Sequence, residues 1–265
     1  MESVNVYWCE QSETDVPTDN EWLSPRELVR LGELRFAKRI ADWRLGRWTV
    51  KQALITCFQL PKLDLSDVEI RPATSGAPEL YIANRPAPLT VSLSHRCGQA
   101  VCALAVSRLA LGCDLELIEA RSDSFVTDYF TDQEQEFIGG MESTDRNQCV
   151  TLMWSAKESA LKALRSGLRL DTRDVIVVLS DKGSCLRTSS GNHWFELKTI
   201  CSSGQILTGW WKHSGCFVKT IVASPIPKLP IDLWARPQRY FLRESEKFSP
   251  RIADFPMANC PTHPA

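Results

Sequence analysis

The sequence has almost no excess of charge. Over 265 residues, 31 Lys and Arg stand against 32 Asp and Glu, a formal net charge of −1. A protein-wide attraction to nucleic acid or to an anionic membrane is thereby excluded, and any anion site has to be a local patch. No apolar run approaches the ~20 residues that cross a bilayer. Residues 1–10 also lack the basic, apolar and small-residue order of a secretory leader. A cytoplasmic monomer with no membrane and no nucleic-acid partner is the expectation. Cys-x-x-Cys is missing too: the ten cysteines are scattered singly from Cys9 to Cys260, with Cys97 and Cys102 the nearest pair. Zinc-ligand spacing is therefore absent, and buried free thiols are expected at Cys102, Cys113 and Cys149. No Gly-x-Ser-x-Gly elbow marks a nucleophilic serine.

What is present is an ordinary globular composition, 43% hydrophobic and 24% charged, enough to bury one large core or two smaller ones. Residues 4–8 alternate like a strand. Ser24-Pro25-Arg26-Glu27 opens a helix with a serine cap and a proline in the first turn. Residues 28–58, rich in Arg, Lys, Leu and Ala, predict one long helix or two consecutive ones, closed by Pro61. Short strands and loops follow over 64–88, then strands over 89–93, 100–106 and 111–118. Helices are expected around 133–138 and over 148–165, and strands over 175–179, 194–200, 206–211 and 217–222. Helix followed by strands occurs twice, so the expected fold class is α+β, built from two similar lobes with no residue-level repeat evident between them. The expected boundaries are 1–110, 111–224 and a proline-rich tail over 225–265.

Four clusters carry candidate chemistry. In Gly112-Cys113-Asp114-Leu115-Glu116, a strand puts Asp114 and Glu116 on one face, where two carboxylates repel unless a cation neutralises them. Their oxygens suit magnesium; hydration on the open side of a strand is the plain alternative. In Trp154-Ser155-Ala156-Lys157-Glu158-Ser159-Ala160-Leu161-Lys162, a helix lines up Trp154, Glu158 and Lys162 at i, i+4 and i+8. This stripe brings a third acid and a cation to the same pocket, or is simply an exposed Glu-Lys pair. Ser94, His95 and Arg96 end a strand with donors suited to phosphate, though a lone histidine is often structural. Between Arg26 and Lys51, eight Lys and Arg face three acids. Arg44, Arg47 and Lys51 share a helical face that would meet a polyphosphate or merely water.

Taken in this order, the clusters resemble the Sfp-type 4'-phosphopantetheinyl transferases, whose marks are Gly-x-Asp-x-Glu on a strand and, about forty residues on, Trp-x-x-Lys-Glu-x-x-x-Lys on a helix. The resemblance spans roughly residues 25–225. It implies two α+β lobes related by a pseudo-twofold axis, with coenzyme A as co-substrate between them. It also implies magnesium on Asp114, Glu116 and Glu158, with Asp114, Glu158 and Lys162 as the catalytic residues. Coenzyme A contacts are implied at Ser94, His95, Lys157 and Lys162 and, from the basic helix, at Arg44, Arg47 and Lys51, with His95 on the 3'-phosphate. The implied reaction moves phosphopantetheine onto a serine of an apo acyl or peptidyl carrier protein and releases 3',5'-ADP. One departure is Ala77: many members have a basic residue between the Gly and Pro that match Gly76 and Pro78, and Arg71 is the neighbour that would replace it. The competing readings are a catalytically inactive module of the same fold that binds coenzyme A or a carrier, and a nucleic-acid binder using the Arg44 face.

Overall fold

The Ser24 hydroxyl accepts the Glu27 amide while the Glu27 carboxylate accepts the Ser24 amide, a reciprocal cap that starts helix α1 (Pro25–Gly32). A short break separates it from α2 (Ala37–Phe58), which stops at Gln59 in the left-handed conformation. The expected helical region is thus two consecutive helices; Pro61 lies outside the described residues. The structure, a computed structural model, describes residues 3–60, 63–166, 169–179 and 193–234.

In chain order the other helices are α3 (Asp123–Tyr129), α4 (Asp132–Ile138) and α5 (Ser143–Ala163). The strands begin with β1 (Tyr7–Ser12), β2 (Val68–Pro72), β3 (Pro78–Ile82), β4 (Arg85–Pro86), β5 (Thr90–Arg96) and β6 (Gln99–Ala105). After them come β7 (Ala110–Leu117), β8 (Val175–Val178), β9 (Phe195–Cys201), β10 (Ile206–Ser214), β11 (Phe217–Ser224) and β12 (Ile231–Asp232). The α+β expectation holds. Helix α3 was not foreseen, because its seven residues, capped by Ser122, are too few to show a helical period. The opening strand starts at Tyr7, leaving Val4 with an isolated bridge to Pro227. No helix among the described residues is long and apolar enough to cross a membrane.

The strands form a sheet ordered β12-β1-β6-β5, a second ordered β7-β11-β10-β9-β8, and a small third ordered β2-β3-β4. Helix α2 packs on the first and α5 on the second. Strand periodicity then distributes the core. From β1 and β6, Tyr7, Cys9, Cys102 and Leu104 pack beneath α2. Trp8, Val101, Ala103 and Ala105, pointing the other way, meet Leu111, Leu115, Ile221 and Ala223 of the second sheet. The first sheet is therefore buried on both faces, which is why β6 reads as an unbroken apolar run. A third cluster lies under α5. Where the sheets meet, Glu10 of β1 pairs with Lys212 at 2.8 Å and with Lys219. Burial would raise the Glu10 pKa, but the two lysines overcome it and bring it down to about 2.

Each main helix is anchored by a buried lysine, and the two anchors match. Lys51 of α2 donates to Glu27 at 2.6 Å and to the carbonyls of Trp22 and Leu65. Glu27 is the capping-box acid of α1 and also accepts the Ile70 amide of β2. Lys157 of α5 pairs with Glu134 at 2.8 Å and donates to the carbonyls of Thr172 and Val175. Glu134 is the capping-box acid of α4 and accepts the Val177 amide of β8. Both lysines are fully buried, and burial pushes both ammonium pKa values down while the paired glutamate pulls them back. This residue-level repeat was not evident from the sequence. It also corrects two expectations: Lys51 and Lys157 are buried against Glu27 and Glu134, so neither is free to meet a phosphate.

Candidate active site

The first and second sheets approach each other through their edge strands β5 and β7, and they do so by side chains. Thr90, Ser92 and Ser94, alternate residues of β5, all turn toward β7. Thr90 Oγ1 accepts the Leu109 amide, Ser92 Oγ accepts the Cys113 amide at 2.9 Å, and Ser94 Oγ donates to Asp114 Oδ1 at 2.8 Å. Asp114 is thus fixed at the seam, 3% exposed.

From the other side α5 lies directly on β7. A Cβ at Gly112 would fall 1.8 Å from the Ser159 carbonyl oxygen and 2.7 Å from the Ala163 nitrogen, so only glycine permits the approach. Ser155 and Ser159 hydrogen-bond Thr220 of β11 and hold the helix there. The close contact gives the expected stripe its direction. At one end the Trp154 indole donates to Glu116 Oε1 at 3.1 Å; at the other, Lys162 Nζ donates to Asp114 Oδ1 at 2.7 Å and to the Cys113 carbonyl at 3.1 Å.

The carboxylates feel one another. Burial and the Asp114 charge raise the Glu116 pKa to about 6, with Arg96 and Arg121 opposing. Burial, then Asp114, also raises that of Glu158. Burial works against the charged form of Lys162, but Asp114 and Glu158 outweigh it and the net shift is upward. Asp114 Oδ2 is buried with no hydrogen-bond partner. Such an atom, among repelling acids, is an acceptor short of a cation. Among the described residues, however, no three Asp, Glu, His or Cys side chains close into a metal-binding cluster. The three acids share a field without forming a closed cage.

Beside Glu116 the sequence reading missed a second tier. Arg96 and Arg121 approach Glu116 at 3.8 and 3.4 Å and are tied to Glu119 at 2.7 and 3.0 Å. Arg121 and Glu119 stand in a loop without periodicity, so no pattern pointed to them. On the opposite flank, His95 Nδ1 lies 3.9 Å from Asp42 of α2. Burial lowers the imidazole pKa, Asp42 opposes, and Lys162 and Lys38 reinforce the lowering. His95, Leu93, Lys38, Trp43 and Arg47 line a hollow of about 440 Å³. Arg47 sits over the Trp43 ring at 3.6 Å and 3.8 Å from Glu27.

The basic face is therefore divided. Arg47 and His95 reach the hollow, Lys51 is internal, and Arg44 is held by the carbonyls of Pro17, Thr18 and Asp19. Nor does Arg71 replace the cation missing at Ala77: it bonds Glu69 and Asn84 and covers the Tyr81 ring. A larger hollow, about 610 Å³, involves none of these residues and lies against Phe195, Trp210 and Pro227.

A strand with two coupled acids, met by a helix that delivers a third acid and a lysine, is the arrangement the family pattern describes. Residues 110–207 match the model of the 4'-phosphopantetheinyl transferase superfamily. The resemblance drawn from the motifs is borne out at superfamily level. The superfamily segment contains β7 and α5, hence Asp114, Glu116, Glu158 and Lys162; Ser94, His95 and Arg47 lie before it. Among solved structures, the chain is similar to Helicobacter pylori holo-[acyl-carrier-protein] synthase in complex with coenzyme A, at 19% identity and a TM-score of 0.31. That overlay covers 38% of this chain and 99% of the other. The Thermotoga maritima holo-[acyl-carrier-protein] synthase gives 22% identity and a TM-score of 0.31, over 48% of this chain and 75% of that one. No curated protein matches.

Proposed function

We propose that the protein transfers the 4'-phosphopantetheine arm of coenzyme A to a serine of an apo carrier protein, releasing 3',5'-ADP. The observation that carries this reading is the buried Asp114 carboxylate, gripped through Oδ1 by Ser94 and Lys162, with Oδ2 left unpartnered beside Glu116 and Glu158. The donor set fits magnesium, which takes a few carboxylates and completes its shell with phosphate oxygens and water rather than requiring a closed protein cage. Asp114, Glu116 and Glu158 would hold it, and when bound it neutralises charge on the pyrophosphate.

The residues supply the rest by position. His95 and Arg47 present donors to the nucleotide end of coenzyme A at the hollow beside β5. Lys162 sets a cation next to the carboxylates, where it stabilises charge on the pyrophosphate oxygens. Glu158, whose pKa is raised by burial and by Asp114, is placed to accept the proton of the carrier serine. The serine oxygen bonds to the phosphorus on the pantetheine side, and the P–O bond to the departing 3',5'-ADP breaks. Such a transfer asks the protein for positioning and charge stabilisation and forms no covalent intermediate on it.

Intact-mass analysis of apo carrier domains incubated with the protein, coenzyme A and magnesium tests this. A gain of one phosphopantetheine, abolished by chelator and by Asp114→Ala in a folded variant, is the expected result. Binding of coenzyme A without transfer to any carrier would instead indicate an inactive binding module. A gain that survives Asp114→Ala would remove the assignment of the site.

A further inference from the structure

Glu116 differs from the other acids of the site in what competes for it. Asp114 is gripped at close range, with Ser94 at 2.8 Å and Lys162 at 2.7 Å on one oxygen and no hydrogen-bond partner on the other. Glu116 has neighbours at both oxygens: the Trp154 indole at 3.1 Å from Oε1, and Arg121 and Arg96 at 3.4 and 3.8 Å from Oε2. The two guanidinium groups stop short of the ~2.7–2.9 Å of a closed charge-assisted pair. Glu119 takes them instead, one oxygen meeting Arg96 at 2.7 Å and Arg121 at 3.0 Å. The Nε atoms of both arginines are buried without a hydrogen-bond partner, so each keeps donor capacity that Glu119 does not use. The tier is also braced: Arg121 lies over the Phe125 ring at 5.0 Å, Phe125 packs on Trp154 at 5.0 Å, and Arg146 of α5 donates to the Arg121 carbonyl at 2.8 Å.

We infer that Arg96 and Arg121 are counter-cations that compete with the metal for Glu116, so that the protein holds a divalent cation firmly only together with the pyrophosphate of coenzyme A. This rests on the transferase reading above. Two positive charges beside a ligand carboxylate oppose a dication by Coulomb repulsion, and Glu119 offsets only part of their charge. A metal that draws on Glu116 takes from both arginines an anion they share. The phosphate oxygens that accompany it restore that anion, because guanidinium groups pair readily with phosphate. The arginines are therefore positioning residues: acting through Glu116, they couple uptake of the metal to uptake of coenzyme A. Without them the three acids would retain a cation whether or not coenzyme A were bound.

The test measures Mn2+ binding to the full chain, from the spin-resonance signal of the free ion, with and without coenzyme A. It compares the wild type with Arg121→Gln, Arg96→Gln, Arg121→Lys and Glu119→Gln, and thermal melting checks that each variant folds. Without coenzyme A, Arg121→Gln should bind Mn2+ about tenfold more tightly than the wild type. Arg96→Gln should tighten it by less, since Arg96 stands farther from Glu116. Arg121→Lys keeps the charge and should stay near the wild type. Glu119→Gln should move the other way, to severalfold weaker binding, because the arginines' charge then acts on the metal undivided. The gain in Mn2+ affinity that coenzyme A brings should shrink in Arg121→Gln. Unchanged or weaker Mn2+ binding by Arg121→Gln overturns the inference; if that variant melts early, Arg96→Gln decides in the same way. Weakening by all four variants also overturns it, since the tier would then only brace the site. Carrier modification by the wild type is the control: if it fails on every carrier, the transferase reading falls, and if it succeeds while the arginine variants do not tighten, the inference alone falls.

Discussion

Helices α2 and α5 each carry a tryptophan three residues before the buried lysine, yet over the nine residues that begin there the rest differ. Trp48-Thr49-Val50-Lys51-Gln52-Ala53-Leu54-Ile55-Thr56 stands beside Trp154-Ser155-Ala156-Lys157-Glu158-Ser159-Ala160-Leu161-Lys162. Tryptophan, hydroxyl and anchoring lysine correspond. Gln52 replaces Glu158 and Thr56 replaces Lys162, all four at partly buried positions. The architecture of the anchor is thus shared, and α5 adds to it a carboxylate, an ammonium group and the Ser159 hydroxyl where α2 has Gln52, Thr56 and Ala53. Neither anchoring lysine reaches the seam between the sheets; Lys162, five residues after Lys157, does.

The sharpest way to break the comparison is to make the second helix resemble the first. Glu158→Gln should lower transfer by about a thousandfold, within the range expected for a lost acid-base group, while thermal melting shows a folded protein. A variant that keeps its rate would deny Glu158 any part in the reaction. Next in size is the anchor itself. Lys157→Met leaves buried Glu134 without its cation and Lys51→Met leaves buried Glu27 only Arg47 at 3.8 Å, and each should cost about 3 kcal/mol in denaturant unfolding. Near-equal losses would show that the two networks do the same structural work; a loss confined to one would end the equivalence. Pairing each with Glu27→Gln or Glu134→Gln should recover part of the loss, because the stranded charge goes with it.

The smallest effect concerns the junction of the first and second sheets. Glu10 has a folded pKa of about 2 against an ordinary 4.5, because Lys212 and Lys219 overcome its burial. A depressed carboxylate stabilises the fold fully above its ordinary pKa and loses that contribution as pH falls through the folded value. Unfolding free energy measured between pH 7 and pH 2 should therefore fall less steeply in Glu10→Gln than in the wild type, by about 2 kcal/mol across the window. Parallel profiles would mean that the ion cluster does not hold the two sheets together.

How much of this was legible in the sequence depended on whether a residue's role followed from local periodicity. The stripe of Trp154, Glu158 and Lys162 and the shared face of Asp114 and Glu116 follow from helix and strand repeats, and the structure places them together. The division of the basic face did not follow, since i, i+3, i+7 spacing cannot show that Lys51 points inward at a glutamate 24 residues earlier. Lys157 was misjudged for the same reason: within its motif a buried anchor and a phosphate ligand look alike, and only Glu134 distinguishes them. The repeat between α2 and α5 was hidden because only the tryptophan and the lysine are identical over the nine residues and the flanking residues diverge. Arg121 and Glu119 reach the site from a loop beside Glu116, and Asp42 reaches His95 from α2, contacts that carry no pattern.

The hydroxyl seam between β5 and β7 bears on how the molecule behaves among its own copies. An edge strand with free amides is a template for any passing extended chain. Here the Leu109 and Cys113 amides beside the seam are taken by the hydroxyls of Thr90 and Ser92. Those two residues are held by side chains a few atoms long, so the two sheets stay separate while the amides that a foreign strand would recruit are already in use. The alternating Thr-x-Ser-x-Ser of β5 thereby keeps these edge amides satisfied, and replacing Thr90 and Ser92 by alanine and valine should show as concentration-dependent aggregation as well as a lower melting temperature.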